Sequence, residues 1–178
     1  MNQANEILIL TGTPGAGKTT TSKALAAASG SPKVHLHCDD FWHFIKHGAI
    51  PPFLDAAHQQ NDTVVKVLAQ AAQGYAEGGY FVIVDGVVGP WFLDAFTGLS
   101  VRVHYIVLQI DVESAIARCQ ARGGDTLTDA KVIASLHHQL WSLGVLSKHA
   151  LDVRGLSPER TLAAVVGAVE SGLFLLKP

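Results

Sequence analysis

Apolar residues recur along the chain in two patterns, short runs typical of strands and longer stretches with helical spacing. The runs predict five strands, at residues 6–11, 33–38, 80–85, 101–109 and 151–153. The third run is almost wholly apolar, which is typical of a parallel strand buried on both faces. Because the strands alternate with helical segments, the sequence predicts an α/β fold with a parallel sheet covered by helices on both sides.

The helical segments have capping residues at several of their starts. Helices are predicted to begin at Lys18, at Asn61 or Asp62, at Asp111, before Ile133, and at Ser157 with Pro158. Proline suits the first helical position because its missing N–H would have no partner there. No internal repeat or low-complexity linker interrupts the series, so residues 1–178 are predicted to form one domain.

A phosphate-binding loop is predicted between the first strand and the first helix. Residues 12–19 fit the spacing G-x-x-x-x-G-K-[ST]. Its glycines permit positive φ, so backbone N–H groups can approach phosphate oxygens at the positive end of the helix. Lys18 is predicted to lie near the β- and γ-phosphates, and Thr19 to ligate Mg²⁺. The predicted nucleotide contacts in this segment are Gly12, Thr13, Pro14, Gly15, Ala16, Gly17, Lys18, Thr19 and Thr20.

Acidic residues follow two of the predicted strands. Asp85 ends the third strand and is predicted to hold Mg²⁺ or its waters beside Thr19, although an Asp there can also merely cap the next loop. Asp39 and Asp40 end the second strand, where a carboxylate can accept a proton from an attacking hydroxyl. Neighbours on an extended backbone point in opposite directions. Asp40 is therefore predicted to be the base and Asp39 a supporting ligand; in the alternative, the pair caps a helix.

Arg118 and Arg122 lie four residues apart, on one face of the predicted third helix. Arg122 begins a break with two glycines, which predicts a small lid at about 122–130. Its guanidinium is predicted to bind phosphate oxygens in a catalytic role as the lid closes. Arg118 is predicted to bind the nucleotide by stacking on the base. The alternative is that both arginines belong to a solvated helix face.

A pocket for the second substrate is predicted from residues close to the acidic strand ends. The predicted contacts are Trp42, His43, Gly86 and Trp91. The segment 48–53 contains two prolines and is predicted to be a rigid loop over this pocket. Aromatic side chains are core residues as often as ligand contacts. The other histidines, including His35 and His37, match no zinc spacing and are predicted to be structural or exposed.

Composition and charge limit the classes of function. Hydrophobic residues make up 48% of the chain and charged residues 16%, which predicts a globular protein. The formal net charge of −2 makes nucleic acid and anionic membranes unlikely partners. Cys38 and Cys119 are too few for a disulfide scaffold. No apolar stretch approaches the length of a membrane span and the start lacks a charged leader, so we expect a cytoplasmic protein.

Four segments, at 12–19, 39–41, 82–86 and 118–122, give the chain a resemblance to small P-loop kinases of the nucleoside-monophosphate-kinase type. It is similar to gluconate and shikimate kinases, chloramphenicol phosphotransferase, and the zeta-toxin and polynucleotide-kinase P-loop domains. The resemblance extends from about residue 7 to 155. It implies a three-layer P-loop NTPase fold with sheet order 2-3-1-4-5, a small lid, ATP with Mg²⁺ as donor, and an Asp at the second strand end as base.

The resemblance leaves the acceptor open. The chain lacks the Asp-x-Asp of shikimate kinases after the second strand, a triple glycine after the third, and the arginines that monophosphate kinases place on an acceptor phosphate. A sugar acid, an aminocyclitol, an antibiotic and a nucleotide end all remain candidates. The sequence also leaves open whether ATP or GTP is preferred, and the oligomeric state.

The predicted function is transfer of the γ-phosphoryl group of ATP to a hydroxyl of a small molecule. One alternative is a regulatory ATPase that acts through a protein partner. A guanine-specific switch would need [NT]-K-x-D, which is absent, and an ABC or AAA⁺ machine would need a signature loop or a second helical domain, for which there is no room. Another alternative is a polynucleotide 5′-end kinase, which the net charge disfavours.

Overall fold

Five parallel strands form the central sheet in the computed structural model, which describes residues 2–123 and 127–176. The strands are β1 (Glu6–Gly12), β2 (Lys33–His37), β3 (Phe81–Asp85), β4 (Arg102–Gln109) and β5 (Ala150–Asp152). They lie in the order β2-β3-β1-β4-β5, which confirms the predicted three-layer P-loop fold. The carboxyl ends of all five strands therefore meet at one edge of the sheet, where ligands bind in folds of this kind.

Helices cover both faces of the sheet. They are α1 (Lys18–Ala27), α2 (Cys38–His43), α3 (His58–Glu77), α4 (Val112–Arg122), α5 (Ala130–Trp141) and α6 (Pro158–Ser171). Short 3₁₀ segments lie at Asp55–Ala57, Pro90–Phe96 and Gly144–His149. Two predicted caps are present: the Asp111 carboxylate accepts from the Ser114 N–H at 2.8 Å, and the Ser157 hydroxyl accepts from the Arg160 N–H at 3.3 Å.

Alternate residues of the central strands enter two separate cores. Ile7 and Ile9 of β1 face the core under α3, whereas Leu8 and Leu10 face the core under α1 and α6. All four side chains are fully buried. A strand covered on both faces needs apolar residues at every position, which explains the continuous runs in the sequence. Among the described residues, none of the helices combines the length and apolar character needed to cross a bilayer.

Two local predictions were wrong. The second strand ends at His37, and residues Cys38–His43 form the helix α2, so Asp39 and Asp40 lie in its first turn rather than on an extended strand. The argument from alternating directions on a strand therefore does not apply to them. The helix α3 begins at His58 rather than at Asn61 or Asp62. Asn61 is buried and uses its side-chain amide in tertiary hydrogen bonds instead of capping the helix.

Candidate nucleotide and acceptor site

The loop between β1 and α1 has the geometry of a phosphate cradle. Gly17 precedes α1 in the left-handed conformation, with φ 93°. Gly15 has φ 85°, and a Cβ there would lie 2.7 Å from the Ala115 carbonyl oxygen of α4. No side chain in the described residues caps the start of α1, and its first turn contains no acidic residue. The free N–H groups and the helix dipole therefore offer an anion site.

Lys18 lies inside this loop. Its Nζ donates to the carbonyl oxygens of Gly12, at 2.8 Å, and Thr13, at 3.0 Å. Burial lowers the pKa of the Lys18 ammonium to about 8, although Asp85 and Asp39 act in the opposite direction. Anionic phosphate oxygens would be stronger partners for this ammonium than the two neutral carbonyls. The predicted contact Thr20, in contrast, is exposed on α1.

Asp85 is completely buried at the carboxyl end of β3. Its Oδ1 accepts hydrogen bonds from His35 Nε2 at 2.8 Å and from His37 Nδ1 at 2.9 Å. Burial favours the neutral acid, but the hydrogen bonds from His35, His37 and Thr19 outweigh it and hold the pKa of Asp85 well below its ordinary value. Its Oδ2 is buried and has no hydrogen-bond partner within 3.5 Å among the described residues.

His37 connects this buried carboxylate to an exposed one. Its Nδ1 contacts Asp85, and its Nε2 lies 3.4 Å from Oδ2 of Asp39. The hydrogen bond to Asp39 and then the one to Asp85 raise the pKa of His37 to about 10. The imidazole is therefore a cation at neutral pH. The same contact with His37 lowers the pKa of Asp39. Asp39 and His37 thus form a fixed ion pair at the mouth of the site.

The two histidines are candidate site residues that the sequence analysis assigned to structural or surface roles. The register pairs His37 of β2 with Asp85 of β3, and His35 lies two residues earlier on the same face. Their spacing of two was visible in the sequence. Their partner was not, because the predicted strand order places β2 beside β3 but does not give the register that sets His37 opposite Asp85.

A cavity of about 380 Å³ opens beside Asp39. It is lined by Asp39, Trp42, His43, Ala49, Ile50, Pro51, Pro52 and Gln60. The predicted substrate contacts Trp42 and His43 therefore lie together with one of the two acidic residues. Asp40 is exposed and does not line this cavity. It also does not line a second cavity, of about 560 Å³, that lies beside the first, between α2 and α3.

Side-chain amides hold the loop that closes this cavity. Trp42 Nε1 donates to Asn61 Oδ1 at 2.8 Å, and Asn61 Nδ2 donates to the Pro52 carbonyl at 2.7 Å. The Gln60 amide accepts from the Ile50 N–H at 2.8 Å and donates to the Ile50 carbonyl at 2.7 Å. These contacts tie the loop and α2 to the start of α3, which favours a preformed pocket over one that must be ordered by its ligand.

Gly86 and Trp91, the two other predicted substrate contacts, line neither cavity. A Cβ at Gly86 would lie 2.5 Å from Cβ of Cys38, so the glycine permits the close approach of α2. The Trp91 ring covers Gly89, where a Cβ would lie 2.3 Å from the ring. Both glycines therefore serve packing within the protein in this conformation.

Arg118 and Arg122 lie on α4, as predicted. Arg118 Nη1 donates to the Gly15 carbonyl at 3.3 Å, which places its guanidinium against the phosphate loop. Arg122 is exposed in the last turn of α4. The predicted lid at about 122–130 is described only in part, since residues 124–126 lie outside the described residues. The lid and the role of Arg122 stay predictions.

Sequence comparison places this geometry in a family. Residues 8–132, which include the phosphate loop, Asp39, Asp85 and Arg118, match the AAA domain family AAA_18. The chain belongs to this family. The match covers more than half of the chain and does not specify an acceptor. No curated protein matches the sequence.

Solved structures share the fold at low sequence identity. A tunicamycin resistance protein from Deinococcus radiodurans has a TM-score of 0.68 and 18% identity, with 97% of this chain and 99% of that chain covered. A sugar kinase from Janibacter sp. HTCC2649 has a TM-score of 0.72 and 17% identity, with coverage of 94% and 95%. A chain of the Pnkp1/Rnl/Hen1 RNA repair complex has a TM-score of 0.62 and 20% identity, with coverage of 80% and 46%.

Proposed function

We propose that this protein is a phosphotransferase that moves the γ-phosphoryl group of ATP to a hydroxyl of a small molecule. The observation that carries the proposal is the position of Asp39, which lines a cavity and is linked through His37 to Asp85 near the phosphate loop. A sugar kinase among the fold neighbours supports a hydroxyl acceptor. The shared fold alone would not establish this activity.

The donor side of the site fits a metal-bound triphosphate. The uncapped N–H groups of α1 and the Lys18 ammonium would bind the phosphate oxygens. Thr19 and the unpaired Oδ2 of Asp85 would hold Mg²⁺ or its waters, since hydroxyl and carboxylate oxygens are suitable ligands. Mg²⁺, when bound, would neutralise charge on the β- and γ-phosphates. Arg118 contacts the loop from α4 and would support the same phosphates.

On the acceptor side, we propose Asp39 as the residue that accepts the hydroxyl proton. The acceptor oxygen forms a bond to the γ-phosphorus while the bond to the β–γ bridging oxygen breaks, ADP leaves, and the proton passes to Asp39. The lowered pKa keeps Asp39 ionised but makes it a weak base. A weak base suffices because the transition state of phosphoryl transfer is loose and positioning contributes most of the catalysis. The sequence favoured Asp40, which lacks the cavity contact.

The matched variants Asp39→Asn and Asp40→Asn test this assignment. ADP release would be measured with Mg-ATP and a library of hydroxylated metabolites, and ATP affinity by calorimetry. We expect Asp39→Asn to lower acceptor-dependent ADP release about 100-fold or more, with nearly unchanged ATP affinity, and Asp40→Asn to resemble the parent protein. Loss of transfer in Asp40→Asn alone would return the role to Asp40. ADP release that responds only to a protein partner would favour the regulatory ATPase.

A second candidate function is 5′-end phosphorylation of a polynucleotide. The fold neighbour from an RNA repair complex supports this candidate. The comparisons therefore do not support the expectation, which was based on net charge, that nucleic acid is an unlikely partner. The reaction would use the same donor site and a terminal hydroxyl. Radiolabel transfer from ATP to an oligonucleotide with a 5′-hydroxyl, at physiological salt, tests it. Transfer to the oligonucleotide but to no metabolite would favour this candidate.

A further inference from the structure

A second cavity adjoins the one at Asp39. It has a volume of about 560 Å³ and lies between α2 and α3. Its lining consists of Phe41, Phe44, Ile45, Gly48, Ile50, Ala56, Gln59, Gln60, Thr63, Val64 and Val67. Ile50 and Gln60 line both cavities, so the two cavities are adjacent at this pair of residues. The Gln60 amide holds both backbone groups of Ile50, which fixes the shared wall.

The second cavity is mostly apolar and open to solvent. Phe44 is 67% exposed and Val67 is 50% exposed, although both are large hydrophobic residues. Exposed apolar surface beside a polar pocket is a feature of ligand-binding clefts. The described residues of α2 and α3 leave these side chains without cover.

The charged residues that line the two cavities limit the charge of the ligand. Among the described lining residues there is no lysine or arginine, and Asp39 is the only acidic side chain. His43 is the only other titratable group in the two linings. A carboxylate or phosphate on the acceptor would leave water without a free cationic partner, because the nearby His37 already contacts both Asp39 and Asp85, and it would lie near the negative charge of Asp39. Such a ligand would be disfavoured by both desolvation and repulsion.

We infer that the acceptor is an uncharged or amine-bearing alcohol with an apolar portion, the hydroxyl lying at Asp39 and the apolar portion in the second cavity. This inference rests on the proposed function, since it assumes that the cavity at Asp39 receives the acceptor. It disfavours sugar acids, nucleoside monophosphates and polynucleotide ends among the acceptors that the sequence left open. The adjacency of the two cavities at Ile50 and Gln60 favours the acceptor itself as occupant of the apolar cavity.

The charge preference can be tested with glucose and derivatives of glucose that differ in charge. Glucose, glucosamine, gluconate and glucose 6-phosphate present similar hydroxyls with different charge. Ligand-observed NMR with Mg²⁺ and a non-hydrolysable ATP analogue would measure their affinities without requiring transfer. We expect the neutral and amine-bearing compounds to bind at least about tenfold more tightly than the two anions, since unpaired charge is costly in such sites. Equal or tighter binding of the anions, or no binding by any compound, would overturn the inference.

The apolar cavity can be tested with methyl, butyl and hexyl glucosides. We expect each added methylene to tighten binding about two- to fourfold, as burial of apolar surface requires. Val67→Asp places a carboxylate in the cavity wall and should abolish this trend. Val145→Asp is the matched control, because Val145 is 95% exposed and lines neither cavity. A chain-length trend that persists in Val67→Asp, or is absent in the parent protein, would contradict the assignment of this cavity.

These binding results are separable from the proposed function. Failure of phosphoryl transfer would appear as ADP release that no acceptor stimulates, whatever the binding order of the sugars. Failure of the inference would appear as a reversed charge preference or a missing chain-length trend, even when transfer occurs.

Discussion

A buried carboxylate meets two basic side chains at each end of the sheet. At the carboxyl end, Asp85 accepts hydrogen bonds from His35 and His37. At the amino end, Glu6 accepts from His104 Nε2 and from Arg102 Nη1, both at 2.8 Å. The two clusters have similar composition, yet the pKa of His37 is raised and the pKa of His104 is lowered.

The surroundings of His37 and His104 explain why their pKa values shift in opposite directions. His37 also contacts the Asp39 carboxylate, and this hydrogen bond, followed by the one to Asp85, raises its pKa. His104 is fully buried, and burial lowers its pKa more than Glu6 raises it, while Arg102 adds to the lowering. Two anions around one imidazole favour the cation, whereas one anion shared with an arginine in a dry site does not.

The unpaired atoms at the two ends differ as well. The Oδ2 of Asp85 and the Nδ1 of His104 are both buried without a hydrogen bond in the described residues. The carboxylate oxygen lies in the region of the phosphate loop, where a ligand can approach. The imidazole nitrogen lies at the closed end, and protonating it would bury an N–H without an acceptor. The difference supports our proposal that the cluster at Asp85 serves binding, whereas the cluster at Glu6 serves packing.

The largest expected effect is a loss of catalytic activity when the carboxyl end of the sheet is altered. Lys18→Met removes the buried ammonium of the phosphate loop, and we expect acceptor-dependent ADP formation to fall about 1,000-fold, because charge stabilisation dominates phosphoryl transfer. The measurement is the steady-state rate of ADP release. Lys23→Met, at an exposed position on the same helix, should keep the parent rate. A Lys18→Met protein that retains more than a tenth of the rate would contradict this role.

The next effect concerns stability at the amino end. Glu6→Ala leaves the buried His104 N–H without its acceptor and Arg102 without its partner, and we expect a loss of about 2–3 kcal/mol in the free energy of unfolding. Urea denaturation measures it, with exposed Glu170→Ala as the control. The rate of ADP formation should not change. A lower rate in a folded Glu6→Ala protein would break the separation of the two ends.

A smaller effect tests His37 as a positioning residue. His37→Gln removes the cation between Asp85 and Asp39, and we expect kcat for acceptor phosphorylation to fall about tenfold with KM for ATP unchanged, since Asp39 loses its orientation. Phosphorylation kinetics at saturating ATP measure the change. Should KM for ATP rise while kcat is maintained, His37 would act through the donor site instead.

The smallest effect is the pH dependence of stability at the amino end. Because the folded pKa of His104 is lowered, its contribution is fully present above the unfolded pKa of about 6.5 and is lost as the pH falls through the folded pKa. We therefore expect lower stability at pH ~5.5 than at pH ~7.5 from this residue. Urea denaturation at both pH values, compared between the parent protein and His104→Gln, isolates the share of His104. If the stability difference between the two pH values is the same in both proteins, groups other than His104 cause the loss of stability at acidic pH.

The phosphate loop and the buried strands could be predicted from local patterns, and the order of the strands from the resemblance to small P-loop kinases. A glycine-rich loop between a strand and a helix has few other uses, and buried parallel strands require continuous apolar runs. A helix after the second strand was only the alternative interpretation, because the six residues of α2 are too short for a periodic pattern. Asn61 was predicted as a cap because the partners of its amide, Trp42 and Pro52, lie in other segments.

The sequence by itself determined that a triphosphate-binding loop opens a parallel α/β sheet, since backbone conformation and burial follow from residues adjacent along the chain. Only the tertiary structure decided that His35 and His37 reach Asp85, and that Asp39 rather than Asp40 lines the cavity. These facts depend on the register between β2 and β3 and on the turn of a short helix. Contacts between distant segments set both, and no local pattern encodes them.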